Sequence, residues 1–567
     1  VAMTIIPLYC AHYLTAREAA AAETGGSGIL GTFIRAYERF AERYERFLST
    51  TLDHKAIVIG AVSVLFVLSL AMFPKIGTEL FPQTDSGQFI INFHAPLGSR
   101  IEITEQLAER LENAIRQVIP ADELSTIVSN IGLSPGFSAI YSPNAAPDSG
   151  FMMVALKADH KMSTFKYIDR LKAELPDKVP ELETFFSSGS IIDSVLNFGL
   201  AAPIDVQFSA PHYAELFQVT RAADEVVRSL PEVAGTFIPE ESNYPTLRIN
   251  VDRVKAARLG LNQRDVVRNV ITALTSNQMI APSIWIDPKT GNDYFLTVQY
   301  FEHNIDSIET LRNIPVLSGR PGPASSHDAL LLRNVATIAR EEHPAEADHY
   351  NVQRVVDLLV APRNQDLGGT RKAVMKVLKK IELPKDVQVS IRGSASAMEK
   401  SFSSFGFGLG MAVILLYLVM VAQFRSFLDP FIIMFAVPMG LIGVIWTLLL
   451  TGTTLNIESF MGIIVMVGIV VSNAILLVDF SNQRRAHGED LRRAIVSAAR
   501  IRMRPILMTA LATVVGLMPM ALKLGAGSEA SAPLARAAVG GLVVSTVLTL
   551  VLVPALYEMF YSRRQAS

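Results

Sequence analysis

Residues 466–482 read MVGIVVSNAILLVDFSN, an apolar run with Ser472 and Asn473 at its centre and Asp479 two turns later. Polar groups inside a membrane helix cost free energy unless they face protein or water. A hydroxyl beside a carboxamide can line an ion path. It can equally bond a neighbouring helix, a contact worth roughly 1 kcal/mol. Both readings stand for Ser472 and Asn473, and both require the pair to face the interior of a helix bundle. Asp479 falls near the end of the run, where a carboxylate reaches water and serves as an interfacial anchor.

The composition supplies such a bundle. The chain has 567 residues, 50% hydrophobic and 18% charged. That is apolar for a soluble protein and charged for a wholly membrane-embedded one, so membrane helices plus large aqueous domains are expected. A net charge of −2 gives no footprint for nucleic acid. The one cysteine, Cys10, excludes an intramolecular disulfide framework and a CxxC metal site, and reads as a small buried apolar residue. No Walker loop, nucleophile elbow or HExxH pattern occurs, so neither an enzyme nor a resident cofactor or metal is expected. Energy for any transport must come from an ion gradient.

The apolar segments fall at the two ends of the chain. Residues 1–14, VAMTIIPLYCAHYL, are shorter than the roughly 20 needed to cross a bilayer and read as the tail of a truncated membrane helix. Residues 29–50 carry Ile29, Phe33, Tyr37, Phe40, Tyr44 and Phe47 at helical spacing, with Arg and Glu opposite. This predicts an amphipathic helix lying on a membrane or packed on protein. Residues 56–74 can span. Five more helices are expected within 402–562, near 404–424, 430–451, 460–480, 505–522 and 538–560. Basic residues cluster before the first span (Arg35, Arg39, Arg43, Arg46, Lys55), after the second (Arg425), in residues 484–504, and at Arg563 and Arg564. Under strict alternation these fall on one side, which the positive-inside rule makes cytoplasmic. The large region between the first and second spans then lies outside the inner membrane.

That region repeats itself. Residues 88–188 read strand (88–95), helix (102–117), strand (123–131), strand (150–158), helix (163–178), strand (181–188). This is the β-α-β-β-α-β, ferredoxin-like order. It restarts at 204–209, 213–229 and 234–239, and resumes near 352–361, 369–381 and 386–393, so a second copy is interrupted by an insertion. The expected fold class is an α+β membrane protein: a six-helix transmembrane bundle with ferredoxin-like subdomains and an inserted subdomain. Residues 130–150, NIGLSPGFSAIYSPNAAPDSG, form a Gly-, Pro- and Ser-rich loop able to move. Met152, Met153 and Met162 lie close in sequence, but adjacent strand residues face opposite sides, so they read as core.

Several stretches resemble one family: ELFPQTDSGQF (79–89), HYNVQRVVDLLVAPRNQDLGG (349–369), YLVMVAQFRSFLDPFIIMFAVPMGLIGVI (417–445), the Ser-Asn run, and RIRMRPILMTALATVVGLMPM (500–520). Together they resemble the C-terminal half of the resistance-nodulation-division (RND) efflux permeases, of the hydrophobe and amphiphile (acriflavine-resistance) type, over essentially the whole chain. The resemblance implies a first porter subdomain at 85–200, a second at 203–243 plus 346–394, and a docking subdomain at 244–345. Family members couple export to proton entry through an aspartate pair on the fourth span, a lysine on the tenth, and an arginine and a threonine on the eleventh. Matching RMRPILMT puts the last two at Arg502 and Thr509, two helical turns apart on one face.

The lysine position, just before Asn473, is Ser472 here, a departure that leaves proton and sodium both open as coupling ion. The loop at 130–150 takes the place of the switch loop, with Gly132, Pro135 and Gly136, Phe137 at its tip, and Ile127 and Met153 on flanking strands facing a distal substrate pocket. Implied partners are the N-terminal half of the same permease, two further copies in a homotrimer, a periplasmic adaptor (membrane fusion) protein, an outer-membrane channel, membrane lipid and small amphiphilic substrates. The implied location is the bacterial inner membrane. Three alternatives remain: a heavy-metal exporter of the same family, a non-transporting relative such as a secretion accessory or a receptor, and a broken gene product without activity. The insertion of about 100 residues argues against a secretion accessory.

Overall fold

A computed structural model of the protein describes residue 8 and residues 29–132, 146–277, 280–301, 304–317, 330–525 and 527–566. The expected helix tail at 1–14 and the residues Cys10, Pro135, Gly136 and Phe137 lie outside the described residues.

Helix α1 (Ile29–Asp53) buries Ala41, Tyr44, Leu48 and Leu52 along one line. The predicted stripe is therefore split. Tyr44 bonds the Leu550 carbonyl at 2.7 Å, whereas Phe40 and Phe47 are 53% and 57% exposed. Ala41 lies on the same buried face. Helix α2 (Lys55–Met72) carries no charge after Lys55 and is about 27 Å long at 1.5 Å per residue.

The chain then builds β1 (Gln88–His94), α3 (Ile101–Val118), β2 (Leu124–Ile131), β3 (Ser149–Leu156), α4 (Thr164–Lys178) and β4 (Glu183–Ser188). The strands form one antiparallel sheet in the order β2-β3-β1-β4. Its core packs Ile91, Phe93, Met152 and Val154 against residues such as Leu111 and Leu171 of the two helices. Asp85 caps α4 by accepting from the Thr164 amide at 2.9 Å and from its hydroxyl.

After the short α5 (Ile191–Leu196) come β5 (Ile204–Ser209), α6 (Tyr213–Arg228) and β6 (Val233–Phe237). An inserted unit follows: β7 (Tyr244–Val251), α7 (Arg253–Arg258), α8 (Gln263–Thr275), β8 (Ile284–Ile286), β9 (Asp293–Phe295), α9 (Ile308–Arg312), β10 (Pro315–Val316), β11 (Leu330–Leu331) and β12 (Ala336–His343). It closes on a core of its own around Val266, Val270, Leu311, Ile314 and Leu332. The interrupted sheet resumes with β13 (His349–Tyr350), β14 (Gln353–Pro362), α10 (Leu367–Leu378) and β15 (Gln388–Arg392). Strand β14 lies between β6 and β5, and β15 flanks β5 on its other side. The order β6-β14-β5-β15 repeats that of the first sheet.

The remaining helices are α11 (Ser394–Phe424), α12 (Leu428–Met434), α13 (Ala436–Leu450), α14 (Ile457–Ala486), α15 (Leu491–Ala521) and α16 (Ser528–Ala566). Among the described residues, six stretches are long and apolar enough to cross a membrane; α12 and α13 together make one of them. That span is broken at Phe435, because Pro438 has no N–H for the Met434 carbonyl. The expected basic loop at 481–504 is mostly helix. Its arginines clamp α1: Arg492 meets Asp53 at 2.6 Å and the Ser49 carbonyl at 2.9 Å, and Arg500 meets Glu45 at 2.8 Å.

Helices α13 and α16 cross at Gly443 and Gly540, where a Cβ on Gly540 would sit 2.9 Å from the Gly443 carbonyl oxygen and closer still to Thr447. Gly540→Leu should overpack this crossing at a cost of about 1–3 kcal/mol. Thermal unfolding of the detergent-solubilised protein should shift down for Gly540→Leu. It should not shift for Gly516→Leu, where a Cβ would meet nothing within 4 Å. Equal midpoints for both variants would contradict the crossing.

Candidate ion-coupling and porter sites

Helices α14 and α15 run antiparallel, and two contacts two turns apart fix their register. The Thr509 hydroxyl lies 3.5 Å from Asn473 Oδ1 and donates to the Ile506 carbonyl at 3.0 Å. The Arg502 guanidinium sits over the Phe480 ring, 4.5 Å from its centroid. Asn473 is buried among Val470, Ala474 and Leu477. Arg502 Nε is buried and has no hydrogen-bond partner among the described residues. A guanidinium is always charged and carries five donors. One with a free, dry donor beside an apolar segment calls for an anion or water that these helices do not supply.

Ser472 does not join this group. Successive helical residues are rotated by 100°, so with Asn473 turned inward Ser472 lies on the exposed side of α14. Asn473 is thus packed within these helices, while Ser472 faces the open side of α14. Asp479 is half-buried and accepts from Gln483 at 2.7 Å within its own helix.

A polar network that the sequence reading missed lies one turn beyond. Buried Asp429 accepts from Tyr561 at 2.7 Å and from Asn482 at 3.2 Å, Tyr557 bonds Asn482, and Arg485 donates to Tyr557 at 3.0 Å. The Asp429-Pro430 pair at the start of α12 reads locally as a helix start, which hides its role in joining three helices.

In the aqueous region, Ile127 and Met153 sit on opposite faces of the first sheet. Ile127 pairs with Val154 and packs on the helix-covered core; Val128 pairs with Met153 and is 46% exposed. A bulge between Leu124 and Thr126 switches which residues of β2 face the core. The expectation that Ile127 and Met153 look into one pocket is therefore wrong, and Val128 is the residue that shares the Met153 face. Gly132 opens the loop with φ of +56°, and a Cβ there would press on Ile101 and on the Pro147 backbone at 3.4 Å. Met152 is wholly buried in the core and Met162 packs against it. Among the described residues, no three His, Cys, Asp or Glu side chains are arranged to hold a metal ion.

A cavity of about 390 Å³ separates β4 and α5 from β14 and the end of β6, lined in part by Ser187, Ser190, Asn197, Glu240, Asp348 and Asp357. Glu240 accepts from the Asp357 amide at 3.0 Å, and Gln207 donates to the Asp357 carboxyl at 2.9 Å. Behind them Asp205 is fully buried, with Arg392 3.9 Å away. Burial raises the pKa of all four carboxyls, and for Asp205, Glu240 and Asp357 repulsion from neighbouring acids pushes in the same direction. Such a cluster holds protons that isolated carboxylates would release. Its members come from segments far apart in sequence, so no local motif announces it.

Six apolar helices carrying two units of one strand order, with a cation and a polar pair between helices, define a polytopic membrane transporter fold. The chain belongs to the AcrB/AcrD/AcrF family of RND permeases, whose family model matches residues 1–561. It is similar to crystal form II of a heavy metal efflux pump, with 26% identity and a TM-score of 0.80 over 93% of this chain and 52% of that one. Crystal form I of a heavy metal efflux pump matches with 27% identity and a TM-score of 0.79 over the same shares. The chain spans about half the length of these structures.

The buried acids yield a pH prediction. A carboxyl whose proton is held more tightly in the folded than the unfolded state stabilises the fold at low pH and loses that contribution as pH rises. Asp205→Asn should therefore raise the unfolding temperature at pH 8 and change it little at pH 3.5, below the ordinary aspartate value of 3.8. A lower unfolding temperature at pH 8 would mean that attraction to Arg392 outweighs burial.

Proposed function

We propose that this chain is the C-terminal half of a secondary active efflux permease of the bacterial inner membrane, exporting amphiphilic organic compounds by proton antiport within a trimeric tripartite pump. The observation that carries this reading is Arg502. Its neighbours Arg492 and Arg500 are spent on ion pairs with α1, whereas Arg502 turns onto Phe480 with a buried donor free, two turns from the Asn473–Thr509 contact. A carboxylate presented by an N-terminal half would complete this site. Protonation of that carboxylate would release Arg502, and Thr509 and Asn473 would supply the neutral hydrogen-bonding path. Ser472 on the open side of α14 contributes a hydroxyl to the same approaching helix.

The two units of shared strand order are then ferredoxin-like porter subdomains, and the inserted unit is the docking subdomain that meets an outer-membrane channel. A periplasmic adaptor completes the assembly. Met153, Val128 and the loop beginning at Gly132 border the substrate path. Phe40 and Phe47, projecting from α1 beside Arg39 and Arg43, rest in lipid headgroups.

A second reading, export of a heavy-metal ion, is favoured by the names of the two matched structures. The methionines argue against it, because Met152 and Met162 are committed to the core while Met153 faces away from them.

Co-expressed with an N-terminal half in a pump-deficient host, the chain should restore resistance to cationic dyes and detergents rather than to metal salts. Restored metal resistance without dye resistance would favour the second reading. Arg502→Ala should reduce export to background while the protein still inserts; unchanged export would leave Arg502 as a membrane-topology residue. A reporter fused after Arg485 should be cytoplasmic and one inserted at Gly291 periplasmic. Both on one side would contradict the six-span topology.

A further inference from the structure

The segment that leaves α2 is a seam between the membrane bundle and the second sheet unit. Thr78 and Leu455 form a parallel bridge, in which the Glu79 amide donates to the Leu455 carbonyl at 3.1 Å and the Leu455 amide to the Gly77 carbonyl at 2.8 Å. The Ile457 amide donates to the Leu80 carbonyl at 3.2 Å, so the seam runs into the first turn of α14. On its other side, the Thr78 amide donates to Asp366 at 2.8 Å and the Thr78 carbonyl accepts from Gly368 at 3.0 Å, at the start of α10. The fit is close: a Cβ on Gly77 would lie 3.0 Å from Asp366 Cβ. Four residues thus tie a periplasm-side unit to the loop between two membrane helices.

Glu79 sits inside this seam and is 5% exposed. Its Oε1 accepts from the Thr454 hydroxyl and from Asn456 Nδ2 at 3.3 Å. Its Oε2 is buried and has no partner among the described residues. As a neutral acid the group costs less: the carbonyl oxygen takes both donors, and the other oxygen carries the proton, leaving one unpaired neutral hydroxyl rather than a charge. As a carboxylate it leaves a buried charge with one oxygen bare, which favours opening to water. Burial pushes the group up to about 7, against the pull of its two donors and of Lys523.

The charges around it do not neutralise it directly. Lys523 follows α15 and acts only through space. Asp366 at α10 is committed to the Thr78 and Gly369 amides. Arg536 of α16 donates to Thr453 and to the Ala521 carbonyl. Lys75 precedes the seam and Glu458 opens α14.

We propose that Glu79 is a proton-operated latch: protonated, it holds residues 77–80 against residues 454–457, and on ionisation it loosens the attachment of the second sheet unit to the membrane bundle. The closed seam binds one proton more than the open one, so its stability falls as pH rises between the ordinary glutamate value of 4.5 and about 7, and is level above that. The latch does not depend on what the protein exports.

The test is hydrogen exchange on the purified chain in lipid nanodiscs across pH 4.5–8.5, corrected for intrinsic exchange rates. Protection of the Glu79, Leu455 and Ile457 amides should fall on the order of a hundredfold up to pH 7 and then level off. Glu79→Gln, a neutral isostere, should stay protected throughout. Lys523→Met, which removes the nearby positive charge, should move the fall to higher pH. Infrared spectra of the unmodified protein should lose protonated-carboxyl C=O intensity over the same window, and the difference spectrum against Glu79→Gln should isolate the Glu79 component of that loss. Protection independent of pH in the unmodified protein, or an equal fall in Glu79→Gln, would overturn the proposal.

Discussion

A guanidinium held between membrane helices must be solvated by something, and this constraint orders the transmembrane half of the molecule. Translocon-based scales put a charged residue at a helix centre at about 2.5–3.5 kcal/mol, and the cost is avoided by pairing, by water or by an aromatic face. Arg502 takes the aromatic face of Phe480 for part of its surface and leaves a donor dry. The antiparallel register that brings Phe480 to Arg502 also brings Asn473 to Thr509 two turns away. A shift of one residue along either helix would rotate both contacts out of alignment. The packing of α14 and α15, buried through Val470, Val471, Ala474 and Leu477, therefore sets the spacing of the polar groups.

The aqueous half is governed by the same economy of burial applied to acids. Glu240, Asp348, Asp357 and Asp205 lie where the two sheet units meet, and each is easier to protonate than an exposed carboxyl. Glu79 repeats the pattern where the second unit meets the bundle. Joints between the units thus carry carboxyls that burial makes easier to protonate, while the cores of the units are built mainly from apolar side chains. In an ion-driven transporter, such joints give proton occupancy a route to domain motion that does not pass through the membrane centre.

Much of the fold was legible in the sequence because its periodicities are strong. The strand and helix order of both units follows from the switch between alternating and helical spacing, and the repeated strand order follows from that sequence of elements. Facing was less legible than order. One extra residue at Ser125 in β2 reverses which side chains reach the core, so Ile127 looked like a partner of Met153 and is not. On α1, aromatic residues occupy a broad arc, and neighbouring helices rather than hydropathy decided that Tyr44 turns in and Phe47 out. Arg502 and Thr509 were reached through resemblance and Asn473 through its place in an apolar run. The acid cluster and the Asp429 network were invisible because their members are distant in sequence and each, read locally, looks like an ordinary cap or surface charge.

The proposal on which the rest turns is that proton movement past Arg502 drives export, with an uncharged serine at position 472. The decisive measurement is transport in proteoliposomes containing this chain together with a complementary N-terminal half of a permease, under an imposed pH gradient or an imposed sodium gradient. Transport driven by the pH gradient in sodium-free buffer is predicted. Transport driven by sodium and indifferent to the pH gradient would contradict the account and assign the polar face of α14 and α15 to a metal cation instead.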